Sequence, residues 1–236
     1  MKDKREIIIR AIILLLLSDR CALERNVIEG ENYSKFQREK QRNVIINWLE
    51  RNNYLSYLTN VEKEIFNQKV DRVTNTGILA HQIQYEAILP CLWAVGLADC
   101  IAKYDDYVYD DFHLVLDARK DHSLEKLLLK TTLRDEADIL YQREVAMLWN
   151  WRIRECNKPV FREISMESLV LSVFGKVHAD IVKEMTTGDD LLYRGKAIYK
   201  CSQSEIAQLS AYSYWRQYAF EWITSDSPWD KVEVNT

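Results

Sequence analysis

Two sets of residues in this chain have side chains suited to chemistry. The first combines indoles, guanidiniums and carboxylates. Trp149 and Arg152 stand three residues apart, and Trp151 and Glu155 four apart, so on a helix each pair shares a face. Trp215 and Trp222 stand seven apart on one stripe, with Arg216 beside it. A guanidinium packed on an indole and paired with Glu86 or Asp230 can floor a pocket for an anion or carboxylate. The same residue types also build interiors. Aromatic stripes form cores, and arginines tie helices together through buried, hydrogen-bonded ion pairs. Trp229 with Asp230 can fold back as an anchor that fills a gap between helices. Both readings stay open for Glu86, Trp149, Arg152, Arg216, Trp222, Trp229 and Asp230.

The second set is YDDYVYDDF, residues 104–112, with four aspartates, three tyrosines and no base. Four carboxylates of one sign resist packing inside a protein, so the stretch is expected as an exposed loop. Clustered carboxylates attract a basic partner, and tyrosines offer large contact area at low entropy cost. Tyr104, Asp105, Asp106, Tyr107, Tyr109, Asp110 and Asp111 are therefore the candidate partner-binding residues. An ordinary solvated linker is the plainer alternative. Calcium binding is a third reading, but the EF-hand spacing and its glycine are missing.

Other chemistries find little to stand on. There is no GxGxxG, P-loop, HExxH or GxSxG motif. His81, His113, His122 and His178 are isolated, without a second His or Cys at ligand spacing. Five cysteines form no CxxC and read as buried, reduced thiols. No metal and no cofactor is expected, and the balance leans away from an enzyme. Residues 1–72 hold 14 Lys and Arg against 11 Asp and Glu, while the remainder holds 18 against 25. Neither part carries a dense basic stripe, so nucleic acid is not an expected partner.

These side chains must be positioned by helices. Only six Gly and three Pro occur, too few for turn-rich β folds. The apolar run 7–17 follows basic residues, as in a signal peptide, but Arg10 interrupts it and no small-residue cleavage site follows. It is too short to span a bilayer. A buried core helix over 3–27 is the expectation, and with it a cytoplasmic protein with no membrane contact. Ser34 can cap a second helix to about 52. Ser and Thr followed by Glu three residues later mark helix starts at Thr59 and Ser202. Further helices are expected over 77–98, kinked at Pro90, and over 123–129, 134–156, 166–185 and 202–224. Gly188 and Gly195 bracket an irregular link. The fold class is all-α: one domain of about eight helices over 1–236, with a possible loosely separate N-terminal subdomain ending in the acidic loop at 102–113.

Several blocks recur in order as a family pattern. QIQYEAILPCLWAVGL (82–97) is similar to Trp-Arg-x-Glu-Ala followed by Leu-Trp-Ala-Leu-Gly, with Ile83 and Gln84 replacing the Trp-Arg pair and Glu86, Leu92, Trp93, Ala94 and Gly96 kept. LRDEADILYQREVAMLWNWRIRE (133–155) is similar to a helix ending Leu-Trp-x-Trp-Arg-x-Arg. The last helix, WRQYAFEWI (215–223), departs from Glu-Arg-His-Tyr-Ala-Leu-Asn-Trp-Leu, and the close Trp229-Asp230…Asn235-Thr236 loses one Asp. On these blocks the chain resembles the bacterial domain-of-unknown-function family 4272, which implies a fold family and no activity. The functional expectation therefore rests on the residues. It is a non-catalytic cytosolic binding protein with a basic protein partner, of which an immunity-type or antitoxin-type protein is one version. The alternative is an enzyme or small-molecule sensor with a Trp/Arg-lined anion pocket between 134–156 and 202–224.

Overall fold

A helix that is apolar on every side has no face to give to water. In the computed structural model, which describes residues 1–25, 33–104, 111–116, 123–158, 160, 163–186 and 189–234, α1 (Lys4–Arg25) is such a helix over Ile7–Leu17, Arg10 aside. Its apolar residues from Ile7 to Leu17 are at most 1% exposed. Arg10 does not spoil the burial, because it is answered on the spot. It donates to Glu62 at 2.7 Å and to the Tyr57 carbonyl at 2.7 Å. Arg20 is treated alike, 2.7 Å from Glu24 and donating to the Gln68 carbonyl at 2.9 Å. No helix among the described residues is long and apolar enough to cross a membrane.

The capping sequences open helices where expected. Ser34 caps α2 (Lys35–Arg51), with Gln37 closing the capping box. Thr59 and Glu62 do the same for α3 (Asn60–Asn67). The 77–98 stretch is not one kinked helix. Thr74, rather than Gly77, opens α4 (Asn75–Gln82) by accepting from the Gly77 amide. A 3-10 turn follows over Ile83–Ala87, and then α5 (Ile88–Ala94). Pro90 sits in the first turn of α5, where its missing N–H leaves no acceptor wanting. The chain leaves α5 through Gly96 at φ 72°, where an added Cβ would stand 3.1 Å from the Thr132 carbonyl oxygen.

A short α6 (Phe112–Leu116), absent from the expectations, is followed by α7 (Ser123–Lys130) and α8 (Glu136–Arg154). The 166–185 helix is split into α9 (Met166–Phe174) and α10 (Lys176–Met185). Gly175 between them takes φ 89° and ψ −177°, a backbone shape closed to other residues. The link after α10 contains a two-residue hairpin, β1 (Leu192–Tyr193) with β2 (Lys196–Ala197). Arg194 and Gly195 turn it with positive φ at both positions. No larger sheet occurs among the described residues, so the protein is all-α. Among the described residues the helices outnumber the expected eight, because two expected ones are each divided and α6 is added.

The last helix, α11 (Gln203–Thr224), packs mainly on α8 and also on α5 and the 83–87 turn. The Lys2 amide donates to the Ile223 carbonyl at 2.8 Å, which docks the start of α1 on the end of α11. One core runs from Ile7 to Trp229 and includes Tyr104 and Phe112. Residues on both sides of 102–113 thus share it, and no N-terminal subdomain stands apart.

Glu205 gives a measurable handle on α11. Hydrogen bonds from Lys196 and from the Ser202 amide and hydroxyl lower its pKa from the ordinary 4.5 to about 2. A carboxylate with a depressed folded pKa stabilises the fold above its unfolded value and loses that contribution as pH falls through the folded one. Acid should therefore loosen the first turn of α11 between about pH 4.5 and 2. The protection of the Glu205 and Ile206 amides, taken relative to the intrinsic exchange rate at each pH, should fall across this window in the native chain. In Glu205→Gln, which can keep the capping box but does not titrate, protection should stay level across the window, and an identical profile in the two proteins would refute the assignment.

Candidate functional site

The Trp/Arg set resolves into three separate contact groups, each built by helices that meet in the core. In the first, Arg216 of α11 is wholly enclosed and faces Glu86 of the 83–87 turn, also wholly enclosed. Its Nε and Nη2 donate to Glu86 Oε2 at 2.9 and 2.6 Å. Its Nη1 donates to the carbonyls of Lys103 and Ala102 at 2.8 and 3.4 Å. The guanidinium lies 5.2 Å over the Tyr104 ring, and that ring stacks on Trp149 at 5.4 Å and 10°. Burial raises the pKa of the Tyr104 phenol by more than Arg216 lowers it, which keeps the ring neutral in its slot.

In the second group Arg152 of α8 meets Asp190, in the link after α10. Nε and Nη2 donate to the two carboxylate oxygens at 2.6 and 2.8 Å. The amides of Leu191 and Tyr199 donate to the same carboxylate at 2.9 and 3.3 Å. In the third, Trp229 lies against Trp222 at 5.4 Å and Tyr218 at 5.0 Å, with Arg10 4.8 Å over its ring. The Tyr218 hydroxyl donates to the Trp229 carbonyl.

Trp149, Trp222 and Trp229 are 8%, 5% and 6% exposed. The interior reading therefore describes them. Glu86 is a true partner of Arg216. Asp230 is not a partner of either arginine: it is exposed. Its neighbour Trp229 takes the interior side of the short 3-10 turn Trp229–Lys231, which turns the aspartate to solvent. Asp190 and Glu86 hold the guanidiniums of Arg152 and Arg216.

Tyr104 is the other correction. It is 6% exposed and so does not stand on the outer surface. A phenol ring can leave an acidic stretch when an indole offers it a stacking face and a guanidinium lies over its other side. Asp105, Asp106, Tyr107, Tyr109 and Asp110 lie outside the described residues. Asp111 is exposed, and its carboxylate accepts from the His113 amide at the start of α6.

Sequence reasoning missed Asp190, Arg10, Glu62 and Arg134. Arg10 had a signal, since a charge inside an all-apolar helical run must find a buried partner. The cysteines are all free, but only Cys21 and Cys91 are buried. Cys100 is exposed and Cys156 and Cys201 are half-buried, contrary to the expectation for the set. Burial pushes Cys21 up to about 11 and Cys91 up to about 12, so both stay as weakly reactive thiols. His81 bonds Gln84 and His178 bonds Glu144 and the Phe174 carbonyl, in neither case a Ser or Cys nucleophile. No group of three His, Cys, Asp or Glu among the described residues is placed to hold a metal.

No curated protein and no solved structure matches the chain. A family model, "Domain of unknown function (DUF4272)", matches residues 1–164. The likeness in the last helix and in Trp229-Asp230 falls outside those residues. The matched part holds α1 to α8 with Glu86, Trp93, Trp149 and Arg152, and on that match the chain belongs to this family of unknown function.

Proposed function

We propose that the chain is a non-catalytic protein-binding protein of the bacterial cytoplasm, and that a basic partner docks on the acidic segment. The anchoring of that segment carries the reading. Tyr104 is clamped between Trp149 and Arg216, and Phe112 is buried against Tyr85 at 5.0 Å. Seven residues separate these anchors, and four of them are aspartates. A segment tied at both ends to a rigid core has less freedom to lose on docking. Its carboxylates speed the encounter with a cationic surface. The buried acids Glu62, Glu86 and Asp190 are each held by an arginine, which supports a structural use of the interior charges. An immunity-type protein that occludes a basic toxin is the concrete version of this reading.

Replacing Asp105, Asp106, Asp110 and Asp111 by Asn should slow association with the partner retained from host lysate by about tenfold at low salt and much less at high salt. The melting temperature of Asp111→Asn by itself should barely move, because Asp111 is exposed. Equal association rates for the two proteins at low salt would remove the main support for the proposal.

A further inference from the structure

A second surface has a different chemistry. A cleft of about 510 Å³ opens between α5, residues 100–104, α8 and the end of α10. Its size falls within the range of small-molecule sites. Trp93, Trp149 and Tyr104 line it, each more than nine-tenths buried, so their rings are fixed parts of the wall.

The wall is organised before any ligand arrives. Arg134 donates to the carbonyls of Trp93, Ala98 and Asp99 at 2.9, 3.1 and 3.3 Å. Arg216 holds the carbonyls of Ala102 and Lys103. Residues 98–103 belong to no helix or strand, yet two guanidiniums pin both ends of the stretch. Such preorganisation lowers the ordering cost that a ligand must overcome.

Charge selects the ligand. Among the described residues Lys103 is the one charged member of the lining, and no carboxylate lines it. No carboxylate pairs with Lys103 or with Arg134 among the described residues, so Arg134 is met by carbonyl dipoles alone. Arg134 also lies 4.7 Å over the Trp93 ring and Arg216 5.2 Å over the Tyr104 ring. Cations already engage both rings, and a cationic ligand would add a like charge beside them. Flat aromatic walls with a single lysine ammonium in the lining fit the opposite kind of molecule.

We propose that this cleft binds a small aromatic carboxylate, with the ring against Trp93 and Trp149 and the carboxylate near Lys103. The proposal does not rest on the partner-binding reading: Tyr104 and Trp149 serve both, but the ligand class and the use of Lys103 belong to the cleft alone.

Calorimetric titration with naphthoate, naphthamide and naphthylmethylammonium tests it, since the three probes share one ring system and differ in charge. Naphthoate should bind about fivefold or more tightly than the neutral amide, and the ammonium weakest. Lys103→Gln, at an exposed position, should bring naphthoate and naphthamide to within about twofold of each other. Ala102→Phe, which narrows the cleft, should weaken all three probes while the fold is retained by circular dichroism. The inference is overturned by no measurable naphthoate binding, by equal affinity for the three probes, or by a charge preference that survives Lys103→Gln. Should Ala102→Phe fail to fold, the Lys103→Gln titration decides by itself.

Discussion

Arg216→Met should destabilise the protein by about 3–5 kcal/mol. The loss comes from what the substitution leaves behind. Glu86 would keep a carboxylate with no exposure to solvent and without its guanidinium, and the Lys103 carbonyl would lose its 2.8 Å donor. Removing one partner of a buried pair is costly, whereas removing both and filling the space with apolar atoms is often nearly neutral. Glu86→Leu combined with Arg216→Met should therefore recover most of the loss. Urea unfolding of the two variants checks this. A double variant as unstable as the single one would show that the carbonyl contacts of Arg216, rather than its pairing with Glu86, dominate. With total stabilities of about 5–15 kcal/mol for a domain, the single change removes a large share. It should also release residues 102–104, which Arg216 ties to α11.

Trp229→Ala should cost about 3–5 kcal/mol, as for other buried aromatics cut to Ala. The indole fills a space bounded by Trp222, Tyr218 and Trp215, with Arg10 of α1 over its face. Its loss leaves a cavity where the ends of α11 and α1 meet. The urea midpoint should fall with the slope unchanged, the signature of lost packing without a change in the unfolding unit. An unchanged midpoint would mean that the residues after α11 add nothing to the fold. Tyr218→Phe offers a finer comparison. It keeps the ring and removes only the hydroxyl that bonds the Trp229 carbonyl, so its cost should be about 1 kcal/mol.

Most of the helical fold was legible in the sequence. Ser34, Thr59 and Ser202 each bond the amide three residues on, so residue type and spacing within one turn suffice to mark these starts. The run 7–17 could be assigned to the core because a helix apolar on all sides has no other stable place in water. Breaks were harder to see. Pro90 starts a helix here instead of kinking one, and Gly175 divides two helices where continuous helical spacing suggested a single one. Each depends on how the flanking segments pack.

The candidate site was legible as a set of residue types and not as a set of partners. That Trp149, Trp222 and Trp229 would be buried, and that an interior arginine would meet an acid, followed from aromatic bulk and from the cost of unpaired buried charge. Which acid meets which arginine did not follow. Arg152 and Asp190 are 38 residues apart and Arg216 and Glu86 are 130 apart. Those pairings exist only once α8, α11 and the 83–87 turn are packed. The same packing drew Tyr104 inward from an acidic stretch that reads as solvent-facing, and it assembled the cleft beside it from parts of the chain as far apart as Trp93 and Leu192. Cap, period and composition act within a few residues and are determined by the sequence itself. Ion-pair choice, ring stacking and cavity shape act across space, and only the tertiary structure decides them.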